Sequence, residues 1–226
     1  MNVELLQYPE DPERAVATAA RLCYAPVGAK ELMETMPPER VESVLSTIVK
    51  SGHFSTLEHV SYTFAVDGVS RALTHQLVRH RLASFNQQSQ RYVKFTDGVG
   101  IVKPETVAED EHANAVFDEA IDTILTAYQT MLEAGIPAED ARYILPNAAE
   151  SKIVITMNIR ELLHFFELRC CNRAQWEIRE LAHRMLELVR PTAPYIFKDA
   201  GAGCVRGACP EGKMTCGNPF SRVMRD

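Results

Sequence analysis

Residues 79–92 read RHRLASFNQQSQRY: three arginines, a histidine, two serines, an asparagine, three glutamines and a tyrosine in fourteen positions. Only Leu82, Ala83 and Phe85 are suited to a core, so flanking segments must supply the packing and this run must face solvent or a ligand. Its chemistry favours a ligand. Arginine presents a rigid five-donor fork that matches phosphate, while Ser, Asn and Gln read the polar edges of a heterocycle or ribose. A solvated face would mix signs to gain i,i+4 pairs. No Asp or Glu occurs over 70–96, which leaves Arg71, Arg79, Arg81, Arg91 and Lys94 without a local partner. In a chain of net charge −6, such an island calls for an anion.

The acidic balance argues against a nucleic-acid polymer as the partner, because such binders carry a basic face for the phosphate backbone. A small phosphorylated ligand fits better. With 226 residues and 46% hydrophobic content, the chain can build one substantial core. No linker, repeat or low-complexity tract interrupts it, so one domain over 1–197 is expected, followed by a cysteine-containing tail over 198–226. The start MNVELLQYPEDPERA has no basic-then-apolar pattern, and no window approaches the ~18 apolar residues of a membrane span. A soluble, cytoplasmic protein with no membrane partner follows, and its six cysteines read as thiols.

Hydrophobic periodicity predicts strands over 2–7, 59–66 and 152–157. It predicts helices over 12–23, 38–50, 70–81, 109–134, 158–169 and 174–189. Asp11 followed by Pro12 opens the first helix, and Ser51-Gly52 closes the second. Gly68 is expected to end the second strand, 82–92 to be loop, and the helix over 109–134 to carry apolar Val116, Ala120, Ile124, Ala127, Tyr128 and Met131 at roughly helical spacing. Without a βαβ rhythm, the pattern gives an α+β fold with a central mixed or antiparallel sheet flanked by helices, including one long helical segment.

Two further clusters carry chemistry. His53, Glu58 and His59 lie close together, but their spacing is not that of a metal-binding helix, and no metal is expected there. Asn158, Arg160, His164 and Arg169 share one predicted helix amid Leu162, Leu163, Phe165, Phe166 and Leu168; cations beside apolar surface make strong anion receptors or structural ion-pair partners. Cys204, Cys209 and Cys216 fall at C-x4-C-x6-C, one ligand short of a four-cysteine zinc site. No nucleophile has its own base, and no P-loop or G-x-G-x-x-G occurs, so the difficult chemistry falls to a cofactor. A nucleotide-binding regulatory module and a metal-dependent phosphohydrolase built on His53, Glu58, His59 and His80 remain open on these residues alone.

The positions Arg79, His80, Arg81, Ser84, Asn86, Ser89, Arg91 and Tyr92 match RHRxxSxNxxSxRY, and the chain thereby resembles the flavin-dependent thymidylate synthases. GHFSTLEH at 52–59, RYILP at 142–146 and the N-x-R…R…QWE pattern of 158–177 extend the resemblance over 1–197. It implies conversion of dUMP to dTMP, with 5,10-methylenetetrahydrofolate as carbon donor and FAD reduced by NADPH as hydride source. It also implies an α/β-type fold and a homotetramer whose active sites form between subunits. By resemblance, Ser55, Arg79, His80, Arg81, Gln87, Asn158, Arg160 and His164 contact FAD. Gln76, Arg79, Gln87, Gln88, Ser89, Gln90, Arg91, Arg142 and Arg169 contact dUMP, with Arg79 and Gln87 shared between the two sets. His53 lies near the folate and nicotinamide, and Arg169 is the catalytic residue, with no covalent enzyme nucleophile.

Overall fold

The computed structural model describes residues 1–95 and 98–220. Thr96, the last residue of the acid-free island, and residues 221–226 of the predicted tail lie outside the described residues.

Four strands, β1 (Asn2–Gln7), β2 (Ser61–Ser70), β3 (Ser84–Gln87) and β4 (Glu150–Asn158), form one antiparallel sheet in the order β1-β2-β4-β3. The helices are α1 (Pro12–Leu22), α2 (Ala29–Thr35), α3 (Pro38–Ser51), α4 (Arg71–Leu77), α5 (Glu105–Ala108), α6 (Glu111–Glu133), α7 (Ala138–Ala141), α8 (Ile159–Arg169), α9 (Trp176–Val189) and α10 (Pro194–Phe197). This is the α+β architecture that the periodicity predicts. No described helix is long and apolar enough to cross a membrane.

Polar side chains set the helix starts by accepting from first-turn N–H groups. Asp11 accepts from Arg14 N at 3.0 Å, Ser70 from Leu73 N at 3.0 Å, and Asn158 from Glu161 N at 2.9 Å. Gly52 ends α3 in the left-handed region at φ 71°, as its position in the sequence suggests.

Three boundaries differ from expectation. The second strand begins at Ser61, because Phe54–His59 closes as a 3-10 turn, and Gly68 does not end it. Gly68 lies inside β2 at φ +69°. Burial falls on Tyr62, Phe64 and Val66, then slips to Val69, as a bulge would cause. A side chain at Gly68 would also come within 3.3 Å of the Met1 nitrogen. The helix predicted over 70–81 stops at Leu77, and part of the predicted loop is β3. Ser-Phe-Asn-Gln has little intrinsic strand character; pairing beside β4 imposes it. The long helix α6 buries Ile121 and Tyr128 among its described side chains, whereas Val116 is 53% exposed and Ala120 and Ala127 also face out. Its inward stripe therefore runs through Ile121 and Tyr128, two turns apart.

The chain divides into two compact units, one of Met1–Asn2, Val66–Arg79 and Phe85–Val154, the other of 3–65, 80–84 and 155 onward. The first buries Val69, Leu73, Leu77, Ala141, Ala149 and Ile153. The second has the richer core: Val16, Leu45, Phe64, Ile155, Leu162, Ile178, Leu181 and Met185 are almost fully buried. Aromatic rings run through it in succession. Tyr8 stacks on Tyr62 at 5.7 Å, Tyr62 meets Phe197 at 5.9 Å, Phe197 meets Phe166 at 6.2 Å, and Phe166 meets Phe165 at 5.9 Å. Phe166 sits between Phe197 and Phe165 in this series and has no exposed surface. Phe166→Ala is expected to cost about 3–5 kcal/mol of unfolding free energy, measured by urea denaturation.

Candidate functional site

The first unit holds most of the predicted dUMP residues. β3 carries Gln87, whose Nε2 donates to Thr74 Oγ1 at 3.2 Å and Ser151 Oγ at 2.8 Å. Gln88 N donates to Lys152 O at 2.8 Å. These bonds pin the polar run to β4 and leave the Gln87 carbonyl oxygen as its group for a ligand. Ser89 Oγ accepts from Arg91 N at 3.2 Å, and Gln90 Nε2 is buried with no hydrogen-bond partner among the described residues. An unmet buried donor is costly, and a bound acceptor would satisfy it.

Arg91, which has no acid near it in sequence, finds Glu139, with its Nη2 2.8 Å from Glu139 Oε2. Arg142 Nε donates to the Glu139 carbonyl at 3.1 Å. Arg71 was not among the predicted contacts, yet burial and the nearby positive Arg142 both hold its guanidinium below the ordinary arginine range. Two like charges in partly desolvated positions make an anion receptor. The absence of acids over 70–96 was the sequence signal for Arg71. Gln76 is half-buried on α4, and Arg79 is exposed with no side-chain partner among the described residues.

The second unit holds Ser55, His80, Arg81, Asn158, Arg160, His164 and Arg169. Ser55 and the exposed His53 line a cavity of about 560 Å³ together with Arg21, Arg40, Ser43 and Thr47. Asn158 spends its Oδ1 on capping α8. Arg160 pairs with Glu58 at the surface, where both side chains are about half exposed. Such a pair is weak and leaves Arg160 available to an anion. Arg81 and His164 are exposed, and Arg81 has no side-chain partner among the described residues. No three metal-ligating side chains converge among the described residues.

His80, predicted to contact the flavin, turns its ring inward. It is 5% exposed, lies 5.0 Å from the Phe165 ring, and uses both nitrogens within the protein. Its Nε2 accepts from Arg169 Nε at 3.0 Å, and its Nδ1 lies 3.2 Å from Glu161 Oε1. Arginine only donates, so Nε2 carries the lone pair and the proton resides on Nδ1, facing Glu161. The His80–Glu161 contact is thus a hydrogen bond from a neutral imidazole. Burial, then the neighbouring Arg169 and His164, push the His80 pKa down to about 4. Burial raises the Glu161 carboxyl above its ordinary value and lowers the Arg169 guanidinium. Sequence reading missed Glu161, which looks there like an ordinary first-turn acid.

The tail is docked on the end of α8 and the turn between α8 and α9. Arg206 Nη2 lies 2.8 Å from Glu167 Oε2, Arg173 bonds Met214 O, and Asn172 Nδ2 donates to Asn218 O at 3.1 Å. Cys204 is buried and Cys209 half-buried, and both line a cavity of about 350 Å³ with Cys171 and Arg169.

Fold and site together define an α+β protein with partly desolvated cations arranged for anionic ligands. Comparison with known proteins makes this specific. The family model described as thymidylate synthase complementing protein matches residues 4–195. A flavin-dependent thymidylate synthase from Geobacter sulfurreducens is 57% identical over 96% of this chain and 94% of its own length. One from Clostridium tetani is 48% identical over 96% and 93%. Among solved structures, the UMP/dUMP methylase PolB from Streptomyces cacaoi, bound with 5-Br dUMP, superposes with a TM-score of 0.76 at 26% identity, covering 87% of this chain and 93% of that one. The chain belongs to the flavin-dependent thymidylate synthase family.

The buried neutral His80 has a consequence for stability. Its pKa is about 4 in the folded state and near 6.5 when unfolded, so the unfolded chain binds the proton more readily between those values. Stability from this group is complete above pH 6.5 and is lost as pH falls through about 4. The loss is on the order of 3 kcal/mol, partly offset by Glu161, whose raised pKa acts in the opposite direction. Urea denaturation at pH 7 and pH 4.5 is expected to show a smaller pH-dependent drop for His80→Gln than for the wild-type chain.

Proposed function

We propose that this protein methylates dUMP to dTMP, taking the one-carbon unit from 5,10-methylenetetrahydrofolate and the hydride from FAD reduced by NADPH, and releasing tetrahydrofolate. The observation that carries this reading is the unmet binding capacity within the signature run: Arg79 and Arg81 have no side-chain partner among the described residues, and Gln90 buries an unpaired amide nitrogen. Family membership and the dUMP-methylase neighbour support the same chemistry.

Arg71, Arg79, Arg91 and Arg142 supply the charge for the dUMP phosphate, and Gln76, Gln87, Gln88, Ser89 and Gln90 the neutral contacts to sugar and base. Ser55, Arg79, Arg81, Asn158, Arg160 and His164 would hold FAD, with Gln87 contributing its carbonyl oxygen and His80 its backbone; the pyrophosphate matches the arginines. FAD, when bound, relays hydride from NADPH. His53 borders the folate and nicotinamide. Arg169 donates to the pyrimidine's carbonyl and imide edge, stabilising the negative charge that makes the methyl-accepting carbon nucleophilic. No enzyme nucleophile is required. Ser89 Oγ already accepts a backbone N–H and has no hydrogen-bonded base in its described contacts. The active protein is a cytoplasmic homotetramer with active sites shared between subunits, formed by a single 1–197 domain and the 198–226 tail.

Absorption spectroscopy tests the flavin assignment. The purified protein is expected to show an oxidised-flavin spectrum that bleaches with anaerobic NADPH, then to form dTMP when dUMP and methylenetetrahydrofolate are added. Chelator should leave that activity intact. Arg81→Ala, which removes one charge-assisted donor, should weaken flavin retention about 10–100-fold; full retention would contradict the pyrophosphate role. Ser89→Ala should weaken dUMP binding while turnover stays measurable. Complete inactivity at saturating dUMP would instead make Ser89 a nucleophile.

A further inference from the structure

Arg169 is held through a neutral intermediary. Its Nε–H donates to His80 Nε2 at 3.0 Å, and His80 Nδ1–H points at Glu161 Oε1, 3.2 Å away. The side chains of His80 and Glu161 are each 4% exposed. Glu161 sits in the first turn of α8 and Arg169 is its last residue, so a ring from outside the helix bridges two positions on it. Phe165 packs edge-on against the same ring, and the His164 ring stands 6.1 Å away.

Burying a histidine and a glutamate is expensive when apolar side chains of similar volume would fill the space. The arrangement does what apolar packing cannot. A carboxylate placed directly on Arg169 would orient it but also cancel its charge and compete with a substrate. A neutral imidazole accepts one N–H and leaves the full positive charge, with both terminal Nη groups, available to a ligand. Glu161 fixes the tautomer that keeps Nε2 an acceptor. We propose that the Glu161–His80 pair is a positioning device that holds the Arg169 guanidinium for substrate without neutralising it. The inference rests on the reading of Arg169 as the group that polarises the pyrimidine. The charged and titratable groups facing His80 are Glu161, His164 and Arg169; protonation of its ring would set donor against donor at Arg169.

The test is dUMP affinity by calorimetry on flavin-loaded protein, with kcat measured alongside. His80→Leu, which removes the acceptor, is expected to raise the dUMP Kd and lower kcat about 10–100-fold. His80→Gln, whose amide oxygen can replace Nε2, should recover most of that loss. Glu161→Gln, which keeps shape and stays usable if His80→Leu fails to fold, should weaken dUMP binding about threefold to tenfold. In an Arg169→Ala background, neither His80→Leu nor Glu161→Gln should weaken dUMP binding further, because a residue acting through Arg169 has nothing left to position. Additive losses there, or normal dUMP binding and turnover in both Glu161→Gln and His80→Leu while Arg169→Ala is impaired, would overturn the positioning role alone. Normal dUMP binding and turnover in Arg169→Ala would overturn the role of Arg169 itself, and the inference with it.

Discussion

Positive charge kept partly out of water, without carboxylates to cancel it, is the constraint around which this protein is organised. Arg71 and Arg142 stand near each other in the first unit, and Arg169 rests on a neutral ring in the second. Each arrangement is unfavourable in isolation, because desolvation weakens the charged form and like charges repel. Each becomes favourable when an anion or a polar ligand edge arrives. The acidic net charge of the chain makes the contrast sharper: acids are plentiful, yet none occurs over 70–96.

Such arrangements need rigid support. In the second unit that support is the series of aromatic contacts from Tyr8 through Phe166 to Phe165, against which the His80 ring lies edge-on. Tyr62 reinforces it with a hydroxyl bond to Thr192 Oγ1 at 2.9 Å. In the first unit the polar run is anchored by Gln87 and the backbone of Gln88 to β4, so hydrogen bonds replace packing where the segment has few apolar side chains. The docked tail adds an ion pair from Arg206 to Glu167 near the end of α8, beside a cavity that Arg169 also lines.

Local chemistry was legible in the residues. Asp11-Pro12, Asn158 and Gly52 mark helix ends because their effects reach only one turn, and α1, α3 and α8 lie close to where those signals put them. Elements made by pairing were not. β3 has four residues of weak strand character and exists because β4 lies beside it, and Gly68 continues its strand as a bulge. Apolar residue type alone does not mark the inward face of α6, because Val116 and Ala127 are apolar yet exposed.

The sequence by itself determined the anion-seeking character of 79–92, the α+β class and the likeness to one enzyme family, because these depend on residue type and short-range spacing. Only the tertiary structure decided that Arg91 is answered by Glu139, that Arg142 comes near Arg71, and that His80 turns inward between Glu161 and Arg169. His80 and Glu161 are 81 positions apart, and His80 and Arg169 are 89 apart. Hydrogen bonds act over about 3 Å, and no local rule of spacing can specify which distant groups the folded chain will bring that close.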